Sequence, residues 1–553
     1  MKNILKVITA FNLLLVLSIY SCNTGNEMAD TIIHNSKIWT GNADREFAQA
    51  IAIKGDKILA IGDDGEILKL KSPETKILDL KGKFVTPGFI DSHVHFITGG
   101  FNLTSVQLRD AATPEEFIQR IKEYTKTIES GTWILGGDWD HKNWGGELPS
   151  KEWIDEFTKD YPVYINRLDG HMALANSAAM EFVGIDRNIK EIKGGSVVRD
   201  ENGNLTGIFK DNAMSLISAK IPEPTDKQVD LALQKAMNYV ASHGVTSVHH
   251  MVGYMDALKR AEKENRLITR IYIAHPLDKW EQLKEKIEKE GNGNEWLKIG
   301  SVKGFIDGSL GSHTAAFTEP YTDRPTDKGF FVESPEDIYN WVKGADEANL
   351  QIIIHAIGDS ANHFMLDTYQ KVAEENGEKD RRFRIEHAQH LLKEDIPRFA
   401  ELNVIPSMQP YHAIDDGRWA EKLIGKERIK TSYVFNSFFS TGAKVAFGSD
   451  WYVAPPVPLY GIYAAVTLST LDDKNPGGWI PEQKISVEEA LVAYTKNAAY
   501  ASFDEDMKGT LENGKLADFV ILSDNLFEIL PEEIRNVKVL QTWVGGKKVY
   551  KSD

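Results

Sequence analysis

Short apolar runs separated by turn residues begin at residue 31. Thr31-Ile32-Ile33, Ala50-Ile51-Ala52-Ile53 and Lys57-Ile58-Leu59-Ala60-Ile61 alternate with Lys54-Gly55-Asp56 and Asp63-Asp64-Gly65, the pattern of strands joined by tight turns. The same style returns at 517–522, 537–544 and 547–550. Neither end carries enough strands for a stable sheet alone, so 31–86 and 507–553 are predicted to close one small β domain together. Between them, 87–506 alternates strand-like and helical runs, the signature of a parallel α/β sheet. Helices are predicted over 114–128, behind Thr113 as N-cap, and over 225–243. Eight strand-like runs (88–94, 245–249, 270–274, 299–306, 351–355, 382–387, 403–408 and 444–450) predict a (β/α)8 TIM barrel. The interval 97–244 is too long for one strand-to-helix connection and is read as an insertion after strand one. Within it, 136–140 and Gly145-Gly146 read as loop.

Composition narrows the partners. Over 553 residues, 64 Lys and Arg face 81 Asp and Glu, a net charge of −17, which offers no electrostatic footprint for nucleic acid. The single cysteine excludes an intrachain disulfide. In residues 1–21, Lys2 and Lys6 precede an apolar run over 7–20 that is shorter than the ~20 residues of a membrane span and suits an export leader. Cys22 directly follows, which resembles a bacterial lipoprotein signal. The expectation is a cleaved signal peptide, a lipid on Cys22 and a tether over 22–30. The protein would then be exported, held to a membrane only by its lipid anchor, and facing the periplasm or the exterior. A homo-oligomer is left open.

Polar residues end the apolar strands. Strand one reads Phe89-Ile90-Asp91-Ser92-His93-Val94-His95, and residues two apart on a strand share a side, so His93 and His95 can meet one target. Strand four carries Lys303, strand five ends at His355, strand six at Glu386-His387 and strand eight at Ser449-Asp450. These are C-terminal strand ends, the face on which barrel active sites are built. Any one of them alone reads as structure. Together they would be a costly cluster of buried polar groups unless a cation satisfied them. Imidazole and carboxylate donors point to one or two divalent ions, Zn²⁺ first, with Mn²⁺, Fe²⁺ or Ni²⁺ as alternatives.

The stretch 85–95 with Lys303, His355, His387 and Asp450 in order, and Gly509-Thr510-Leu511-Glu512-Asn513-Gly514-Lys515-Leu516-Ala517-Asp518-Phe519-Val520 near the end, resembles the amidohydrolase superfamily. Asp169-Gly170-His171, 303–312 and 385–389 are similar to its branch of N-substituted formamide deformylases. The resemblance implies that both chain ends complete a small β-sandwich, that His93, His95 and Asp450 bind a buried metal, that His355 and His387 bind an outer one, and that Lys303 bridges as a CO₂-derived carbamate. It implies hydrolysis of a C–N bond in a small amide: hydroxide from a metal-activated water attacks the carbonyl carbon, and Asp450 serves as general base and then acid. His171 is the expected substrate-polarising donor, with Asp169 orienting it, and His313 and Asp307 are read as supporting hydrogen-bond partners. Trp139, Trp144, Trp419, Tyr411 and Trp451 are expected over the mouth, where rings would suit an apolar N-substituent. His249 and His250 are read as structural. Ring opening, deamination or peptide cleavage on the same site are the rival chemistries, and a non-catalytic metal- or ligand-binding lipoprotein is the rival class. No Gly-x-Ser-x-Gly or His-Glu-x-x-His occurs, which disfavours serine and zincin hydrolysis.

Overall fold

The computed structural model describes residues 27–167, 172–190, 192 and 195–552. The leader and Cys22 lie outside them, as do Asp169 and His171. Among the described residues no helix is long and apolar enough to cross a membrane.

The barrel strands are β1 (Phe89–Val94), β2 (Val245–His250), β3 (Arg270–Pro276), β4 (Leu297–Phe305), β5 (Gln351–Ala356), β6 (Arg384–His387), β7 (Ile405–Met408) and β8 (Ala446–Phe447), paired in chain order. Each pairing from β1 to β8 is parallel. Helices alternate with them because the intervening segments carry apolar residues at helical spacing and proper caps. Helix Pro114–Thr125 starts behind Thr113, whose side chain accepts from the Glu116 amide, and helix Asp226–Ser242 starts with a reciprocal Thr225–Gln228 capping box.

The chain ends form the small β unit. Thr31–His34, Ala50–Lys54, Lys57–Gly62 and Lys76–Asp79 make one sheet. The other joins Lys37–Trp39, Phe47–Ala48 and Phe84–Pro87 from the start of the chain to Phe519–Leu522, Val539–Val544 and Lys547–Lys551 from its end. The two ends meet where Val520 pairs antiparallel with Thr86. Ile33, Ile51 and Ile58 of one sheet and Val85, Phe519 and Trp543 of the other share a buried core, so this is a sandwich.

The insertion folds around a six-stranded sheet of its own and corrects one expectation. The segment read as loop is largely strand Ile134–Trp139, paired parallel with Val163–Arg167. Gly136 and Gly137 reflect a distortion within that strand: both have positive φ, +78° and +96°, and the register shifts between Gly136 and Trp139. A Cβ on Gly136 would sit 2.7 Å from Ser105 Oγ, so close approach also favours glycine there.

Barrel and sandwich are locked together by a buried ion pair. Arg270 at the start of β3 donates to both carboxylate oxygens of Asp518, at 2.6 and 3.1 Å, and Asp518 also accepts from the Gly545 amide. Asp518→Ala would strand the guanidinium in a dry site and should destabilise the protein by about 3–5 kcal/mol. A clear fall in the thermal midpoint relative to wild type, with native circular dichroism at low temperature, is the expected readout.

Candidate metal centre at the barrel mouth

Each strand-end residue reaches the mouth by a local backbone device. His93 lies on β1, and His95 follows its end. Lys303 and His355 lie on β4 and β5. Arg384 and Glu386 on β6 are both buried, as residues two apart on one face. Strict alternation would turn His387 away from that face, but φ is +73° at His387 and +42° at Ala388, so the chain leaves the strand there. Asp450 lies three residues beyond β8, also in the left-handed region at φ +59°.

These side chains converge. Nε2 of His93 and Nε2 of His95 lie 3.3 and 3.4 Å from Asp450 Oδ1. His93 Nε2 and Asp450 Oδ1 are nonetheless buried without a hydrogen-bond partner. Such spacings are those of ligands around a common centre: tetrahedral bonds of about 2.0–2.1 Å give ligand–ligand edges of about 3.3–3.4 Å. His387 Nδ1 and Lys303 Nζ are buried and unpartnered as well. The His355 and His387 rings stand 4.5 Å apart between centroids, and Lys303 Nζ lies 3.7 Å from the centroid of Phe305.

The second ring nitrogen of two of these histidines is engaged. His93 Nδ1 meets Glu386 Oε2 at 2.5 Å, and Glu386 is gripped by Arg384, whose Nε donates to Oε1 at 2.9 Å. Arg384 also donates to the Ser92 carbonyl and contacts His249 Nδ1. His355 Nε2 donates to the Gly308 carbonyl at 3.0 Å. A ring nitrogen that donates leaves the other with its lone pair, so His93 presents Nε2 and His355 presents Nδ1 as ligand atoms.

Electrostatics follow from burial and these partners. Burial opposes charge on Glu386, yet Arg384 and His93 bring its carboxyl down to about 2. Burial likewise works against Asp450, and His93, His95 and His387 hold it well below the usual carboxylate range. Burial lowers the Lys303 ammonium to about 8 and, with Lys303 beside it, the His355 imidazole to about 3. The cluster therefore sets two ionised carboxylates, which push the His93 imidazole up, beside His355 and His387, which burial holds down, a donor set suited to a divalent ion.

Asp307 lies beside the cluster, its Oδ1 3.6 Å from His355 Nε2, whereas other expected site residues sit elsewhere. Trp139 is fully buried in the core of the insertion, its Nε1 donating to the Ile165 carbonyl, so it cannot line a substrate pocket. Trp451 is also buried, packed against Phe96 and Tyr239 over Gly99. Loop tryptophans were read as mouth residues, whereas large apolar rings are most stable where they lose most water. His313 pairs with Asp323 in its own loop. Asp307 is buried and accepts from the amides of Ala316, Ile357 and Gly358. His250 accepts from the Phe96 amide, in keeping with a structural role.

Sequence reading missed Glu386, Arg384 and His412, and two exposed rings beside the ligands. Tyr452 stands 6.1 Å from His95 and Phe305 5.3 Å from His355, between centroids. Glu386 was visible as an acid at the end of an apolar strand, next to a histidine already singled out.

Residues 76–550 match the amidohydrolase family. The chain belongs to that family. It is 40% identical to the protein LONG AFTER FAR-RED 3 of Arabidopsis thaliana over 95% of this chain and 92% of that one. It is 26% identical to an N-substituted formamide deformylase of Arthrobacter pascens, over 94% of this chain and 98% of the relative. Among solved structures, an uncharacterized metal-dependent hydrolase from Pyrococcus furiosus superposes with a TM-score of 0.74 and 31% identity, covering 91% of this chain and 99% of that one. Among the described residues of this amidohydrolase, the groups that could hold a metal are His93, His95 and Asp450, and His387, His412 and Asp450.

Glu386→Gln keeps the shape of the support but removes its charge. Zn²⁺ affinity, read by chelator competition, should fall by about 10–100-fold.

Proposed function

We propose that this protein hydrolyses the C–N bond of a small carboxamide, with N-substituted formamides as the leading substrate class. The observation that carries the reading is the convergence of His93, His95 and Asp450, with Asp450 Oδ1 3.3 and 3.4 Å from the two Nε2 atoms and His93 Nε2 and Asp450 Oδ1 without hydrogen-bond partners. The named activity of the Arthrobacter pascens relative supplies the substrate class.

On this reading His93, His95 and Asp450 would hold a buried divalent ion, His355 and His387 would hold an outer one, and Lys303 would serve both as a carbamate. An ammonium repels a cation, whereas carboxylation turns Lys303 into an anionic oxygen donor. The buried amine has no hydrogen bond to surrender in that change, only its contact with the Phe305 ring. A bound Zn²⁺ or similar ion supplies Lewis acidity and lowers the pKa of water to about 7, which allows even a weakly basic carboxylate to accept its proton.

The chain's own groups do the rest. Asp450 takes a proton from the attacking water as oxygen adds to the carbonyl carbon. It returns that proton to the nitrogen as the C–N bond breaks, so a carboxylic acid and a free amine leave. Glu386 and Arg384 keep the His93 ring from turning. Tyr452 and Phe305 flank the ligands with exposed rings, an apolar wall for the N-substituent. The same reading keeps His171 as the donor that polarises the carbonyl, with Asp169 beside it, and Cys22 as the lipid attachment of an exported protein.

The test is an amine-release screen of formamides, acyl amides and cyclic amides with Zn²⁺ or Mn²⁺ supplied. Asp450→Asn should lower kcat by about 10²–10⁴-fold while metal content, measured by mass spectrometry, persists through the amide oxygen. Absence of amine release by the wild type across the panel would overturn the assignment.

A further inference from the structure

A second group of converging atoms includes a residue from outside the strand-end pattern. One nitrogen each of His387 and His412 and one oxygen of Asp450 lie within 4.8 Å of one another. His412 stands on helix Pro410–Asp416, which follows β7, a strand from which sequence reading expected no ligand. Its ring lies parallel to that of His387, 9° between planes and 6.3 Å between centroids, too far for ring contact. His412 Nε2 is buried without a partner, as are His387 Nδ1 and Asp450 Oδ1. His249 Nε2 and His250 Nε2 are buried without partners too, so what sets His412 apart is its convergence with His387 and Asp450. A cation among these three groups would satisfy them together.

We propose that His412 is a metal ligand: with His387 and Asp450 it builds the outer of two metal positions, and Asp450 is common to both. This rests on the metal-site reading above and adds a ligand from the β7 side of the mouth. Together with His355, already assigned to this position, His387, His412 and Asp450 make three imidazoles and a carboxylate, a four-ligand set that suffices for zinc. The outer position is therefore complete without a carbamate on Lys303. Carboxylation of that lysine would tighten an existing position, and CO₂ is not needed to fill it.

The experiment is a Zn²⁺ titration of the metal-depleted full chain in bicarbonate-free buffer, by chelator competition, repeated with Co²⁺ to follow its visible absorption. Wild type should take up two equivalents. His412→Ala and the bulkier His412→Gln, each checked for native circular dichroism, should keep the first equivalent and bind the second at least ~100-fold more weakly. The Co²⁺ spectrum of the second equivalent should be lost with it. Unchanged second-site affinity in a folded variant would overturn the proposal, as would a wild type that takes its second equivalent only with bicarbonate, or takes only one under both conditions. A wild type that binds no metal at all would instead remove the metal-site reading beneath it.

Discussion

Between β8 and β1 the barrel is closed by very little backbone pairing, because β8 is only two residues long. The seam is completed beyond the strand. The Asp450 amide donates to the His93 carbonyl at 2.7 Å, and the His95 amide donates to the Trp451 carbonyl at 2.6 Å. The Asp91 carboxylate accepts from the amides of Ser449 and His93. A Cβ on Gly448 would fall 2.6 Å from the His93 nitrogen, so only glycine allows the two chains this close. The bonds that shut the barrel are thus the bonds that bring Asp450 alongside His93 and His95. Ligand geometry at the mouth depends on closure of the fold.

That arrangement concentrates polar atoms in a place with little water. A buried donor or acceptor left unsatisfied costs about 1–3 kcal/mol, and more when charged. The mouth holds several, including His93 Nε2, Lys303 Nζ, His387 Nδ1 and Asp450 Oδ1. The layer immediately below is better engaged by comparison: Arg384 bonds Glu386, His249, Ser92 and Ser407, and Glu386 bonds His93, with His249 Nε2 left unpartnered. Satisfaction below and deficiency above separate a supporting shell from a binding shell. The support is itself an ion pair, costly to desolvate, and its bonds to three other strands keep it in one arrangement.

Strand-end histidines, Lys303 and Asp450 were legible in the sequence because period-two alternation and an abrupt polar end to an apolar run are local signals. The barrel and the terminal β domain were legible for the same reason. Glu386 was in plain view yet unassigned, since alternation places it and His387 on opposite faces; the left-handed backbone at His387 and Ala388 breaks that rule. His412 follows Gln409-Pro410, at the start of a helix, where no strand pattern operates. In the insertion, Gly136-Gly137 carried a loop signal although a distorted strand passes through them. Trp139 and Trp451 were misplaced because a ring near a barrel mouth in sequence can either face it or fill the packing behind it, and composition does not distinguish the two.

The two tautomers fixed at the mouth explain how ligands from different strands can meet. His93 is held through Nδ1 by a carboxylate, and His355 through Nε2 by a backbone carbonyl. Opposite nitrogens are therefore left free on the two rings. Nε2 lies farther from Cα than Nδ1, so the histidine presenting Nε2 holds its free nitrogen farther from its own backbone than the one presenting Nδ1. A carboxylate partner also makes the His93 ring more basic than a carbonyl partner makes His355, which favours the His93 side as the stronger donor. Asp450, at the seam, belongs to both groups that could hold a metal among the described residues.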